Sequence, residues 1–446
     1  MNTAHAAVIT EITGGITAVP GMVAAGVHAG IKKRKPDLAL VAAPRRSAAA
    51  AVYTRNAVQA APLAVTRRHL ADGHAQAVVV VSGIANTCTG EQGLRDAEAM
   101  AVHTGRALGI DPRDVIVAST GVIGSLLPMD RVEAGIRDAA RRLDPEGGAD
   151  AALAIMTTDT RPKEAACRVA LPGSQPAAAR AAEPAAAGSG LAEPPAGAAP
   201  GAARSGAPVV TIGGMAKGSG MIHPDMATML AFLATDAAVA PGDLQRALRE
   251  AVEATFNLIT VDGDTSPNDM VAVLATGTAG GEPLTPGTAG WDAFTAGLTA
   301  VCDSLARQIV ADGEGATRTF GVRVTGAASA GEARRAARAV AASSLVKTAV
   351  YGRDANWGRV LVAAGASGAA MNPDRASLDL EHGGVSIPLF RLGSPVPVDE
   401  EHASRLLGTD GVVFVLDLGT GGTAAATAWG CDLTEAYVEI NAAYRT

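Results

Sequence analysis

Short runs of aliphatic and β-branched residues alternate along the chain with longer stretches in which apolar positions recur every three or four residues. The first pattern predicts strands at 38–42, 76–81, 115–118, 209–212, 317–324 and 411–418. The second predicts helices over 94–108, 129–143, 241–256, 290–311 and 331–343. Asp243 and Glu332 stand near the starts of two of these helices, where the helix dipole favours negative charge. The glycine-rich residues 419–422 read as a turn after a strand. The order predicts an α/β (α+β layered) enzyme-like fold without internal repeats. It contains neither a Walker lysine motif nor a strand–Gly-x-Gly-x-x-Gly–helix unit, so nucleotide-binding folds have little support.

One segment breaks the alternation. Residues 172–208 are almost wholly Ala, Pro, Gly and Ser, and the prolines forbid a regular helix or central strand. This stretch reads as a disordered surface insertion without chemistry, between structured segments at 152–170 and 209–235. The remaining chain has the composition of a globular protein: of 446 residues 48% are hydrophobic and 18% charged, enough for two or three domains. Aromatics make up 3%, so Ala, Val, Leu and Ile must fill the core.

Charge and cysteine usage narrow the function. A net charge of −7 leaves no basic footprint for nucleic acid. The one basic run, Lys32-Lys33-Arg34-Lys35, is short and without aromatics, and reads as a solvated loop. Cys88, Cys167, Cys302 and Cys431 lie far apart with no Cys/His cluster, which argues against a disulfide framework or a metal site and fits a reducing cytoplasm. No signal-peptide pattern opens the chain, and no apolar run reaches the roughly 20 residues of a membrane span. A soluble cytoplasmic protein is expected.

The most informative stretch is 217–230, where a Gly-rich, Pro-containing turn passes through Ala227-Thr228 into the apolar run 229–234. This layout suits a threonine that attacks its own preceding peptide bond and becomes a chain N-terminus. Such a residue carries nucleophile and base together, because an α-amine with a pKa of about 8 can take the hydroxyl proton at neutral pH. The local pattern is equally that of a Gly/Pro loop opening a buried helix at Thr228. His223 lies five residues earlier and reads as structural or substrate-shaping.

Other polar groups offer matching chemistry. Thr120-Gly121 follows the strand pattern 115–118, and a Thr-Gly turn there presents a hydroxyl and a backbone N–H side by side, as an oxyanion requires; an ordinary tight turn fits the same residues. The run 156–163 is dense in hydroxyls, either lining a small-molecule site or forming a capped turn. The acidic stretch 260–269 resembles a calcium loop without its closing Glu, and reads as turn scaffolding. Glu314 sits between two glycines, where a ligand can approach closely; Asn441 and Thr446 end the chain with polar groups, in a tail that by itself reads as frayed and inert.

Taken in order, these blocks resemble the ornithine acetyltransferase (glutamate N-acetyltransferase) family of the arginine pathway. The resemblance runs from 26–33 to 436–441 through specific blocks at 88–93, 120–124, 156–160, 217–230, 262–266, 312–317, 345–349 and 356–359. It implies a self-processing two-chain acyltransferase fold, cut between Ala227 and Thr228 into an α chain, 1–227, and a β chain, 228–446, with a C-terminal subdomain at roughly 330–446. It implies ping-pong transfer of acetyl from N2-acetyl-L-ornithine to L-glutamate through acetyl-Thr228, without cofactor or metal, in an α2β2 assembly. Thr120 and Gly121 would form the oxyanion hole; Thr157, Lys217, Thr228, Glu314, Asn441 and Thr446 would line the substrate site. Whether acetyl-CoA also serves as donor stays open. Val81 and Ile84 stand where the family pattern has asparagines, which puts substrate preference in question. The alternatives are a self-processed N-terminal-threonine amidase or aminopeptidase, a transferase for a related acyl amino acid in secondary metabolism, and an inactive paralogue that serves as a binding protein.

Overall fold

Sixteen strands carry the fold in the computed structural model, which describes residues 8–172, 208–223 and 229–443. In chain order they are β1 (Ile9–Ile12), β2 (Val23–Val27), β3 (Leu38–Tyr53), β4 (His74–Ile84), β5 (Val115–Val122), β6 (Lys163–Ala170), β7 (Val209–Lys217) and β8 (Leu230–Thr235). They continue as β9 (Ile259–Thr260), β10 (Met270–Ala275), β11 (Thr319–Ala327), β12 (Ser377–His382), β13 (Val385–Arg391), β14 (Ser394–Pro395), β15 (Val412–Asp417) and β16 (Ala424–Cys431).

The larger sheet has the order β1-β6-β7-β8-β10-β3-β4-β5, with β2 paired to β3. Its central strands are buried on both faces. Ala231, Leu233, Val271 and Val273 meet Leu244, Leu248, Leu298 and Leu305 of the helices Pro241–Ala254 and Ala289–Ala311. Leu230, Phe232, Met270 and Ala272 face the other core, with Ile16, Met22 and Leu63. A strand covered on both sides shows a continuous apolar run instead of alternation. That is why 229–234, read locally as a possible buried helix, is the strand β8. Three further helices, Ala61–His69, Gly90–Leu108 and Met129–Arg141, cover the β3-β4-β5 end through Val65, Met100, Val132 and Ile136.

The smaller sheet has the order β14-β13-β12-β15-β11-β16-β9 and packs its Phe320 and Phe414 edge-to-face beneath the helix Ala330–Ala342. The helix Ala289–Ala311 touches β6 and β7 of one sheet and β9 and β16 of the other, and so couples the two layers. In the helix Ala330–Ala342 the Ser329 hydroxyl accepts the Glu332 N–H, and Glu332 lies in its first turn, where the dipole argument puts an acid.

Each predicted strand and helix lies within or overlaps an observed element of its type, but several ends moved. β3 extends to Tyr53 because a register irregularity between Ala42 and Ser47 absorbs the exposed Arg45 and Arg46. β5 continues to Val122, so Thr120-Gly121 is not a turn after a strand but the irregular end of the strand itself. Lys32 corrects the solvated-loop reading: it is half-buried and donates to Pro36 O (3.0 Å) and Met156 O (2.6 Å), although Lys33, Arg34 and Lys35 are exposed. Of the predicted insertion, 173–207 lie outside the described residues. Among the described residues no helix is long and apolar enough to cross a membrane.

Candidate active site

Antiparallel pairing of β7 with β8 sets Lys217 opposite Leu230, so the chain leaves the sheet after Lys217 and returns beside it. The described parts of that excursion are held from several sides. Asp262 accepts the N–H groups of Met221 (2.6 Å) and Ile222 (2.8 Å), and Val261 N–H donates to Ile222 O (2.6 Å). Met270 N–H donates to Met229 O (3.0 Å). The 260–269 stretch is therefore scaffolding for the 217–230 excursion. Among the described residues no acidic or Cys/His cluster suits a metal. His223 turns away toward a separate cleft, with its Nδ1 3.1 Å from Thr260 Oγ1. Ala227, Thr228 and Thr446 lie outside the described residues.

Six of the expected site residues line one cavity: Thr120, Gly121, Thr157, Lys217, Glu314 and Asn441, joined by Met229, Asn268 and Asp269. Its volume of about 70 Å³ is several times the ~10–15 Å³ that one water needs. The wall at Thr120 and Gly121 is built by close backbone approach. Gly121 has φ +129°, and a Cβ there would stand 2.3 Å from the carbonyl carbon of Gly83 on β4. Ile84, one of the two departures from the family pattern, forms the irregularity opposite Thr120. Asn268 pins this corner: its Nδ2 donates to Ala85 O and Ser119 O (2.7 Å each), and its Oδ1 accepts from Thr87 Oγ1 (3.0 Å).

Below the cavity lies a buried ion cluster. Lys163 Nζ is 2.6 Å from both Asp159 Oδ1 and Asp312 Oδ2, and all three side chains are shielded from water. Asp159 also accepts Gly218 N–H (2.7 Å) and Thr157 N–H (2.9 Å), and Asp312 accepts the Thr160 N–H (3.0 Å) and hydroxyl. One acid thus fixes Thr157 and the residue after Lys217 together. Burial alone would raise the Asp159 carboxyl, but Lys217 and Lys163 beside it hold it far below the usual range.

Lys217 is buried and its Nζ reaches Thr120 Oγ1 at 3.4 Å. Burial pushes its amine down, against the pull of Asp159, and the neighbouring Lys163 adds to the fall. Burial also brings Lys32 down to about 8, with Asp37 opposing. On the far wall Glu314 donates its N–H to Ser219 O (2.9 Å), and its Oε2 accepts from Asn441 Nδ2 (2.8 Å). Asn441 is carried there by the terminal helix Glu435–Ala443, so this part of the tail is no frayed end. The cavity offers a cation at one side, an acid–amide pair at the other, and a hydroxyl beside a tight glycine between them.

Sequence reasoning did not single out Asn268, Asp269, Asp159, Lys163 or Asp312, although it read the 156–163 stretch as a site lining or capped turn and the 260–269 stretch as scaffolding. For Asn268 and Asp269 the signal was partial: they immediately precede a run that is apolar throughout, which marks a strand covered on both faces but not the cavity at its end.

The ArgJ family model matches residues 23–199 and 200–446. The arginine biosynthesis bifunctional protein ArgJ of Symbiobacterium thermophilum is 53% identical over 98% of this chain and 99% of its own. Its namesake in Geobacillus kaustophilus is 44% identical over 100% of this chain and 99% of its own. A solved ornithine acetyltransferase from Mycobacterium tuberculosis, complexed with ornithine, is 35% identical over 49% of this chain and 100% of that one, with a TM-score of 0.39.

Proposed function

Because the chain belongs to the ArgJ family, we propose that it is a glutamate N-acetyltransferase of arginine biosynthesis, moving acetyl from N2-acetyl-L-ornithine to L-glutamate. The observation that carries the reading is the convergence of Thr120, Gly121, Thr157, Lys217, Glu314 and Asn441 on one cavity beside Met229, the residue bonded to Thr228.

In this mechanism Thr228 Oγ first attacks the carbonyl of Ala227; the peptide shifts to an ester as its C–N bond breaks and frees the Thr228 amine, and water then cleaves the ester to release the Ala227 carboxylate and restore the hydroxyl. In turnover that amine takes the hydroxyl proton while Oγ attacks the acetyl carbonyl, then passes the proton to the departing ornithine nitrogen. Glutamate's amine attacks the acetyl-Thr228 ester and regenerates the hydroxyl. Amide donor and amide product are close in energy, so no ATP or cofactor is required. Thr120 and Gly121 receive the oxyanion. Lys217 binds an amino-acid carboxylate, and Glu314 with Asn441 binds an ammonium group, with Thr157 and Thr446 completing the site. The enzyme works in the cytoplasm as α2β2.

The test is ornithine release from N-acetylornithine with and without glutamate. Release that requires glutamate supports transfer; release indifferent to it makes the enzyme an amidase. The name of the relatives, a bifunctional protein, supports acetyl-CoA as a second donor, read as thiol release in the presence of glutamate. Gly121→Ala is expected to lower kcat about 10²–10³-fold, the cost of displacing one oxyanion donor. Its Cβ would force β5 away from the Gly83 backbone. Steady-state kinetics beside a thermal melt separates this from unfolding.

A further inference from the structure

Asp269 stands in the cavity wall with no part in the scheme above. It immediately precedes β10, is 2% exposed, and lines the same cavity as Lys217. Its Oδ2 has no hydrogen-bond partner among the described residues. The backbone around it is held: Thr54 N–H donates to Asp269 O (3.0 Å), Met270 N–H to Met229 O, and Asn268 is tied to Ala85 and Ser119. The carboxyl is thus carried on a fixed stretch of backbone and is shielded from water. A buried polar atom left unpaired in a ligand cavity is costly, and such a group is satisfied by what enters the cavity.

The charged and titratable groups around it come from several elements. Lys217 faces it from β7, with Asp159 and Lys163 behind, Glu314 lines the same cavity from the far wall, and Tyr53 on β3 pairs with the adjoining Met270. Burial raises the Asp269 carboxyl well above the usual range; the Ser266 and Thr54 hydroxyls and the Lys217 charge offset this only in part. Burial thus favours the protonated form of the carboxyl, which has an O–H to give.

We propose that Asp269 is a substrate-binding residue that, as a carboxylic acid, donates a hydrogen bond to the carboxylate of the amino-acid substrate, beside the ammonium of Lys217. This deepens the acetyl-transfer reading and rests on it. One substrate carboxylate then meets two donors, one charged and one neutral. When Asp269 loses its proton, carboxylate faces carboxylate and binding weakens. Loss of the Lys217 proton weakens it in the same direction, so the two are separated by substitution.

The experiment measures KM and kcat for glutamate across pH in the self-processed wild type, Asp269→Asn and Asp269→Leu. In the wild type KM is expected to rise about tenfold from slightly acid to alkaline pH. Asp269→Asn keeps a donor that cannot ionise, so its KM should start somewhat higher and rise about threefold or less. Asp269→Leu removes the donor and should raise KM at least about tenfold at all pH values, with kcat far less affected. A KM profile of Asp269→Asn that parallels the wild type overturns the proposal, as does a folded Leu variant with near-wild-type KM. If the Leu variant does not fold, the Asn profile alone decides. Wild type that transfers no acetyl to glutamate sinks the underlying reading instead.

Discussion

Thr228→Ala is expected to yield one uncut chain of 44.5 kDa with no acetyl transfer, where the wild type is expected to give two chains of nearly equal length. In the proposed scheme the substitution removes the hydroxyl that opens the Ala227 carbonyl, so the α-amine that would serve as base in turnover is never released. Nucleophile and base disappear together, and activity should fall by about 10⁵-fold or more, as when a single catalytic nucleophile is removed elsewhere. Intact mass spectrometry reads the cleavage and an ornithine-release assay the activity. Two chains in the variant, or one chain in the wild type, overturn the assignment of Thr228. Thr228→Ser is the informative companion: it retains a hydroxyl and is expected to cut itself and keep measurable turnover.

The second large effect concerns stability. Lys163→Met leaves Asp159 and Asp312 as two acids in a space from which water is excluded. Breaking a buried ion pair in this way costs about 3–5 kcal/mol, because the remaining charge keeps its desolvation penalty and loses its compensation. Denaturant melts should show the loss as a lower midpoint with an unchanged slope. The cluster also dictates acid behaviour. The folded-state Asp159 carboxyl is held below its unfolded value. Its stabilising contribution is therefore complete above the unfolded pKa of about 3.9 and is lost as pH falls toward the folded value. Wild-type stability should drop steeply in that acid range, and the drop should be shallower in Lys163→Met. Equal melts of the two proteins at neutral pH would show that the cluster contributes nothing.

Much of this architecture is legible in the chain, and what is not has identifiable causes. The helices Met129–Arg141 and Ala289–Ala311 begin within one residue of expectation, since one-sided burial leaves the three-to-four residue spacing intact. β16 escaped, because Ala424-Ala425-Ala426 opens it with residues of low strand propensity and its neighbours are chosen by tertiary pairing. β8 was visible as an apolar run but not as a strand, since burial on two faces erases the alternation that identifies one. At the site, Lys217 and Asn441 were reached through a resemblance, and Glu314, noted locally as an acid between two glycines, gained its role only through that resemblance. The Lys163–Asp312 pair joins residues 149 positions apart, and the position of Lys32 depends on a carbonyl 124 positions away. Pairings of that range exist only once the sheet has formed.

The strand order has a last consequence, for what a cut after Ala227 leaves behind. From one edge the sheet reads β1, β6 and β7, all before the cut; then β8 and β10, after it; then β3, β4 and β5, before it again. The two strands of the downstream piece are inserted between strands of the upstream piece, with hydrogen bonds on both sides. Neither piece holds the larger sheet whole, although the downstream piece keeps every strand of the smaller one. Unfolding of the processed protein is then also dissociation, so its melting temperature should climb with protein concentration while that of an uncut variant stays constant. Refolding, unimolecular in the precursor, becomes a second-order encounter of two partial sheets. A cut after Ala227 would thus turn one chain into a pair whose larger sheet neither member can complete alone.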